Sequence, residues 1–393
     1  MARLSIDTDY LKQCLRRLLA IPSPTGYTDI IVREVCHELA RLNVPFELTR
    51  RGAIRAIVKG REHRGARAVI AHLDTLGALV KLIKDTGRFE LVPIGTWSAR
   101  FAEGARCTVF SDAGSYRGTI LPLKASGHTF NDEIDTAPIG WSHVELRIDA
   151  LARNRREASR LGIEIGDFVA IDPQPEFLDN GFIVSRHLDD KAGAAVLLAA
   201  LKAVREAKPE LPVDAHWLFT IAEEVGIGAS SVIDQDVASV VAVDNGTSAP
   251  GQNSSEFGVT IAMADRSGPF DYHLTKKLAG LCQEHEIRYQ KDIFRYYRSD
   301  AAAAEVAGHD VRSALITFGV DASHGYERIH MHALRSLAEL LTAYVVSPVE
   351  IKRDAEEISG LSGFTTQPMD EAPADVSDRS VENNPPQIVD SVK

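Results

Sequence analysis

Cysteine is scarce in this chain. There are four in 393 residues (Cys14, Cys36, Cys107, Cys282), far apart and with no Cys-x-x-Cys pair. That spacing argues against a disulfide framework and a thiolate metal site, and leaves buried reduced thiols in a cytosolic protein as the expectation. Positive charge is also short: 44 Lys and Arg stand against 55 Asp and Glu, a formal net charge of -11. A nucleic-acid surface needs clustered Lys and Arg, so that class is disfavoured. Part of the acidic excess falls in the C-terminal stretch and says little about an active site. Long apolar runs are missing too, since the stretch from Gly193 to Leu201 stops at Lys202, far short of a bilayer span. The N-terminus, Met-Ala-Arg-Leu-Ser-Ile-Asp-Thr-Asp, lacks the charged-then-apolar layout of a signal peptide. A cytoplasmic protein without nucleic-acid or membrane partners is expected.

What is present is ordinary for a globular enzyme, with 45% hydrophobic and 25% charged residues. The length favours two domains over one small core. Leu11, Cys14, Leu15, Leu18 and Leu19 recur at helical spacing after Asp7 or Thr8, and Ile21-Pro22-Ser23-Pro24-Thr25-Gly26 stops that helix. Thr28 is placed to cap a second helix with Ile31, Val35, Leu39 and Leu42 on its apolar face. Strands are read at Ala66 to Ala71, His216 to Ala222, Ser239 to Val243 and Ser313 to Phe318, and a long helix from Leu188 to about Val204. The alternation predicts an α/β fold, a mainly parallel sheet flanked by helices. Residues 78–182 differ: Val, Ile and Thr runs between Gly and Pro suggest an inserted small β-rich domain, broken by a charged helix around Ala150 to Leu161. The catalytic α/β domain is then 1–77 and 183–348. Residues 349–393 form an acidic tail without apolar periodicity, expected to be largely disordered.

Five short segments carry the chemistry. They are Ala71-His72-Leu73-Asp74, His187-Leu188-Asp189-Asp190-Lys191, Ala222-Glu223-Glu224-Val225-Gly226, Val243-Asp244-Asn245 and Ser323-His324-Gly325-Tyr326-Glu327. In order they supply His, Asp, Glu-Glu, Asp and His, the donors two adjacent divalent cations require, with one carboxylate left for acid-base work. Three segments follow directly on predicted strands, where open α/β sheets place their ligands. His72 reads as a metal ligand, with the Asp74 carboxylate on its other ring nitrogen. Asp189 reads as the bridge between cations roughly 3.5–4 Å apart. Glu224 reads as a ligand and Glu223 as general base and acid, because neighbouring residues point apart. Asp244 and His324 complete the set.

Each member alone has a bland reading: a surface His-x-Asp pair, acids favoured at a helix N-terminus, a strand-end cap, a loop histidine. The set carries the inference. Two divalent cations, three ligating carboxylates and one hydroxide sum to about zero charge, which suits a half-buried pocket. Other features carry no such weight. Gly226-x-Gly228 lacks the third glycine of a dinucleotide fingerprint, with Ser231 in its place. Ser230-Ser231 lacks nucleophile-elbow context. His128 and His143 lack acid neighbours at ligand spacing, and Glu284-His285-Glu286 reads as a solvated helix end.

These residues, with Ile21 to Gly26, Asp265-Arg266-Ser267-Gly268-Pro269 and Ser299-Asp300-Ala301, resemble the tetrahedral-aminopeptidase (glutamyl aminopeptidase/cellulase-like) family of dinuclear metallopeptidases from about Leu11 to Val346. The resemblance implies a phosphorylase/hydrolase-like metallopeptidase core. By the same likeness His72, Asp189, Glu224, Asp244 and His324 are ligands and Glu223 the base. It further implies a dimerisation role for the insertion and a large homo-oligomer, a dodecamer of dimers around a hollow centre. Three places depart from the family pattern: Asp74-Thr75 for Asp-Glu, Asp189-Asp190-Lys191 for Asp-Asp-Arg, and Gly325-Tyr326-Glu327 where a small residue and proline are usual. Those departures resemble a bacterial branch associated with an N-acetylglutaminylglutamine amide osmoprotectant system.

The expected activity is metal-dependent release of the N-terminal residue from short peptides, with two divalent ions (zinc first, cobalt or manganese also accepted by such donors). A deacylase or amidohydrolase acting on an N-acylated dipeptide, and a non-catalytic scaffold on the same fold, are the alternatives.

Overall fold

The structure is a computed structural model that describes residues 3–368. The chain opens with helices α1 (Thr8–Leu19) and α2 (Asp29–Arg41), then strands β1 (Phe46–Leu48), β2 (Ile54–Val58) and β3 (Glu62–His72). Strands β4 (Gly77–Ile83), β5 (Phe89–Ile94), β6 (Arg106–Ser111) and β7 (Gly114–Pro122) follow. After them come the short α3 (Gly127–Phe130), β8 (Val144–Ile148), α4 (Arg155–Ser159) and β9 (Phe168–Ile171). The rest comprises β10 (Glu176–Phe177), β11 (Phe182–Ser185), α5 (Leu188–Ala207), β12 (Val213–Thr220), β13 (Val237–Thr247), β14 (Val259–Asp265) and β15 (Gly268–Pro269). It ends with α6 (Tyr272–Glu284), β16 (Tyr289–Ile293), α7 (Asp300–Val306), β17 (Arg312–Val320), β18 (Glu327–His330) and α8 (Met331–Val346).

The main sheet runs β1-β2-β12-β3-β13-β17-β14-β15, with β16 beside β14. Its middle pairs, β12 with β3, β3 with β13 and β13 with β17, are parallel. The edges are antiparallel at β1/β2, β2/β12 and β14/β17, so the sheet is mixed around a parallel centre. Every residue of β12 is buried. A strand covered on both faces has no solvent side to select polar residues, so its sequence does not alternate. Helix α5 lies on β3 and β13, with α1 and α8 packed against it. Its run from Leu188 to Leu201 is buried on all sides, which an Ala- and Leu-rich helix tolerates. Each buried Leu or Val there contributes roughly 1.5–3 kcal/mol.

Strands β4, β5, β8, β7, β6 and β9 close into a small barrel. Phe89, Cys107, Val109, Ile120, Leu146 and Val169 fill it, a core separate from that of the main sheet. The charged helix expected over Ala150 to Leu161 shrinks to α4, five residues capped by Asn154. Gly162, three residues past its end at a φ of +70°, turns the chain away from a helix. All four cysteines are buried and free. From residue 369 the acidic tail lies outside the described residues. Among the described residues no helix is long and apolar enough to cross a membrane.

Candidate metal centre

The parallel register delivers the donors to one end of the sheet. His72 is the last residue of β3 and stands opposite Thr220, the last of β12. Glu223 and Glu224 follow three residues later in a 3-10 turn. Asp244 sits one strand over on β13, opposite Thr317, and His324 follows β17 on a loop. Asp189 enters from the other side at the first turn of α5, where the backbone is still non-helical.

Asp189 lies at the centre. One of its oxygens is 3.1 Å from His72 Nε2 and the other 3.3 Å from His324 Nε2. Two groups of donors flank it, each with ligand atoms within 4.8 Å of one another: His72, Glu223 and Asp244, and Asp189, Glu224 and His324. The far nitrogens of both rings meet backbone carbonyls, His72 Nδ1 at Asp74 O and His324 Nδ1 at Thr96 O, both 2.9 Å away. A carbonyl accepts a proton only, so Nδ1 of each ring donates and Nε2 keeps its lone pair for the centre. The Thr96 contact comes from the loop after β5, so the barrel helps to aim His324.

Backbone donors hold the acids. Glu327, buried, accepts from the N–H groups of Leu188 (2.8 Å), Asp189 (3.2 Å) and His324 (3.0 Å). Asp74 accepts from Thr25 Oγ1 (2.7 Å) and from the N–H groups of Glu223 (3.1 Å) and Glu224 (3.3 Å). Asn245 donates to the second oxygen of Asp189 at 2.7 Å, and Ser323 donates to the Asn245 side-chain oxygen at 3.1 Å. Asp190 accepts from His72 N and Gly193 N, which fixes the strand end against the helix start.

This is an expensive concentration of negative charge. Burial pushes Glu223 and Glu224 well above the usual carboxylate range, and burial with the charge of Asp189 lifts Asp244 to about 8. Burial would raise Asp189 too, but without a cation present both rings protonate, and hydrogen bonds from the His324 and His72 imidazoliums hold it low. Burial opposes charge on His72, yet Asp189 beside it drives the ring's pKa up. Among the described residues no Lys or Arg pairs with Glu223, Glu224 or Asp244. Bare carboxylates in this setting must protonate or take up cations. The donor set of imidazole nitrogen and carboxylate oxygen, in two groups sharing the neighbourhood of one aspartate, fits a pair of divalent metal ions.

The centre opens into a cavity of about 980 Å³. Trp97 and Phe101 from the loop after β5, Tyr296 beyond β16, and the exposed Arg266, Arg295 and Arg298 line it. A comparable cavity of about 1070 Å³ lies at the opposite end of β3, beside Arg64 and Arg67, and contains none of the acids of the centre.

All seven residues singled out in the sequence meet here: His72, Asp74, Asp189, Glu223, Glu224, Asp244 and His324. Three details differ from expectation. The Asp74 carboxylate is not the partner of His72 Nδ1. Its Oδ1 is 3.7 Å away while its main-chain oxygen makes the bond, because the carboxylate is committed to the turn carrying Glu223 and Glu224. Asp244 is not past the end of its strand, since β13 continues to Thr247 and pairs with β17 throughout. Glu223 also falls among the ligand-distance donors and not apart from them. Glu327, Asn245 and Asp190 were missed. Each is a polar residue next to or three places from a recognised donor, and only its burial reveals the role.

A sequence profile of the M42 glutamyl aminopeptidase family matches residues 52–340. The "Putative aminopeptidase YhfE" of Bacillus subtilis (strain 168) is 40% identical over 338 residues, covering 86% of this chain and 97% of that one. Among solved structures, the TET aminopeptidase from Thaumarchaeota archaeon SCGC AB-539-E09 superposes with a TM-score of 0.78 at 18% identity, covering 86% of this chain and 96% of that one. The Pyrococcus horikoshii TET1 peptidase, which assembles into a tetrahedron or a large octahedral shell, gives 0.76 at 22% identity, covering 86% and 100%.

Proposed function

Because this chain belongs to the M42 glutamyl aminopeptidase family, we propose that it is a cytoplasmic dinuclear metalloaminopeptidase releasing the N-terminal residue of short peptides. In this reading His72, Asp189 and Asp244 hold one divalent ion, and Asp189, Glu224 and His324 hold the other. Zinc is the first expectation, and cobalt or manganese suits the same donors. The observation that carries the proposal is Asp189, whose two oxygens face two different histidines at 3.1 and 3.3 Å. A carboxylate so placed can be shared between two cations. Bound at this centre, the ions would supply Lewis acidity for activating water and polarising the scissile carbonyl.

The protein's own part is positioning and proton transfer. Glu223 lies at the cavity wall, 3.8 Å from His72 Nε2, in a setting that raises its proton affinity. A base so tuned takes a proton from the attacking water and returns it to the leaving amine. Asp74 serves as a positioning residue, since its carboxylate fixes the backbone of both glutamates. Arg266, Arg295 and Arg298 at the cavity favour substrates carrying carboxylates, through side chain or C-terminus. The division into a catalytic unit (1–77 and 183–348) and a barrel unit (78–182) that mediates dimers belongs to the same proposal. So does a homo-oligomer like those of the TET peptidases.

The test is hydrolysis of matched dipeptides with free and acetylated N-termini by zinc- or cobalt-loaded protein, followed by mass spectrometry. Cleavage of the free-amine set alone is expected, reduced by roughly 10²–10⁴-fold in Glu223→Gln. Cleavage of the acetylated set alone would move the assignment to a deacylase. Cleavage of neither would favour a scaffold.

A further inference from the structure

A second cluster of metal-type donors lies away from the centre, between β12 and the turn that enters β13. His216, Asp234 and Asp236 each bring a ligand atom within 4.8 Å of the others. The His216 ring is 1% exposed, and neither Nδ1 nor Nε2 has a hydrogen-bond partner. Asp236 Oδ1 is likewise buried and unpartnered, while its Oδ2 is 3.5 Å from His216 Nε2, too long for a hydrogen bond. A buried ring with neither nitrogen satisfied, beside a buried carboxylate oxygen also without a partner, costs several kcal/mol unless something satisfies it.

We propose that His216, Asp234 and Asp236 form a separate, structural site for a divalent transition-metal ion such as Zn²⁺. A mixed set of one imidazole and two carboxylates suits zinc or manganese and not calcium, which takes oxygen ligands. The site is distinct from the catalytic centre. His216 precedes Thr220, the partner of His72, by four residues on an extended strand, about 13 Å. His216 lines neither of the two large cavities, so a role in turnover is not implied.

The surroundings accept the charge. Burial lowers the His216 pKa, against the pull of Asp236 and Asp234, so the ring is neutral and offers a lone pair at pH 7. Arg55 also faces the cluster, donating to Asp234 at 2.7 Å, with Glu47 3.9 Å from the same guanidinium nitrogen. Two aspartates, Glu47, Arg55 and one divalent ion together sum to zero. Asp234 and Asp236 are 45% and 32% exposed, which leaves an entry path from solvent. A bound ion would tie β12 to the loop that follows Glu223 and Glu224, and so brace the segment carrying both acids.

The experiment is zinc content per chain, by inductively coupled plasma mass spectrometry after equilibrium dialysis, for the wild type, His216→Gln and Asp236→Asn. Anomalous diffraction of the wild type at the zinc edge accompanies it. One fewer zinc per chain in each variant is expected, with peptide hydrolysis retained. An anomalous peak beside His216 is expected and decides the matter if either variant fails to fold. Equal zinc content in all three proteins, or no peak at His216 in zinc-soaked wild-type crystals, would overturn the site in favour of a plain His216–Asp236 contact. Peaks at Asp189 report on the catalytic reading independently.

Discussion

Glu327 braces the backbone at two donors of the centre, Asp189 and His324, and replacing it with Gln gives a calculable loss. The side chain is 1% exposed and accepts three backbone N–H bonds, two on one oxygen from Leu188 and Asp189 and one on the other from His324. Gln keeps the volume and one carbonyl oxygen. Its better orientation retains the Leu188 and Asp189 bonds and turns its NH₂ towards the His324 N–H. The lost charge-assisted bond is worth about 1.5–3 kcal/mol and the buried, unsatisfied donor about 1–3 kcal/mol. In chelator at pH 9, above the value of about 8 to which burial lifts this carboxyl, Glu327→Gln should therefore lower unfolding free energy by about 2.5–6 kcal/mol. Because the same carboxylate fixes the backbones of Asp189 and His324, zinc affinity should fall roughly 10–100-fold. Urea unfolding and competitive zinc titration measure both. Asp321→Asn, six residues earlier and 52% exposed, is the control and should stay within about 0.5 kcal/mol. If Glu327→Gln matches that control in stability and zinc affinity, the bracing role is refuted.

The buried acids set a pH dependence in the metal-free protein. Asp244 is pushed up to about 8 by burial and the Asp189 charge, against 3.8 for an ordinary aspartate. The folded state then binds more protons than the unfolded one between those values, so stability is lost as pH rises through that window. In chelator, the unfolding temperature of Asp244→Asn relative to wild type should accordingly be more favourable at pH 8 than at pH 5. The opposite trend in differential scanning calorimetry would contradict the burial argument. Gly193→Ala should be destabilising by about 1–3 kcal/mol, since the added Cβ would stand 2.1 Å from Asp190 Oδ1 in a packed site. Urea unfolding checks it, and a neutral effect would mean that Asp190 is free to move.

The donor set was legible because each donor follows an apolar strand or opens an apolar helix, and those patterns locate the end of the sheet where ligands gather. His72 after Val69-Ile70-Ala71 and Glu223 after the buried β12 are the clearest instances. The parallel centre was readable for the same reason, while the antiparallel edges were not. Strands such as β1, exposed throughout, carry no periodic signal and owe their place to pairing. The bracing residues stayed hidden for another reason. Asn245 and Glu327 are ordinary polar letters in sequence, and their function comes from burial against a backbone that only the assembled fold supplies. The role of Asp74 was misjudged because spacing put its carboxylate near His72, whereas Thr25 and the N–H groups of Glu223 and Glu224, distant in sequence, claim it.

The central claim is that Asp189 is shared by two cations. Electron paramagnetic resonance of the manganese-loaded protein tests it most directly, because a carboxylate-bridged Mn²⁺ pair gives an exchange-coupled spectrum that isolated ions do not. A coupled signal in the wild type that disappears in Asp189→Asn is the expected result. A spectrum of isolated Mn²⁺ alone at saturating metal, unchanged by Asp189→Asn, would contradict the bridged centre.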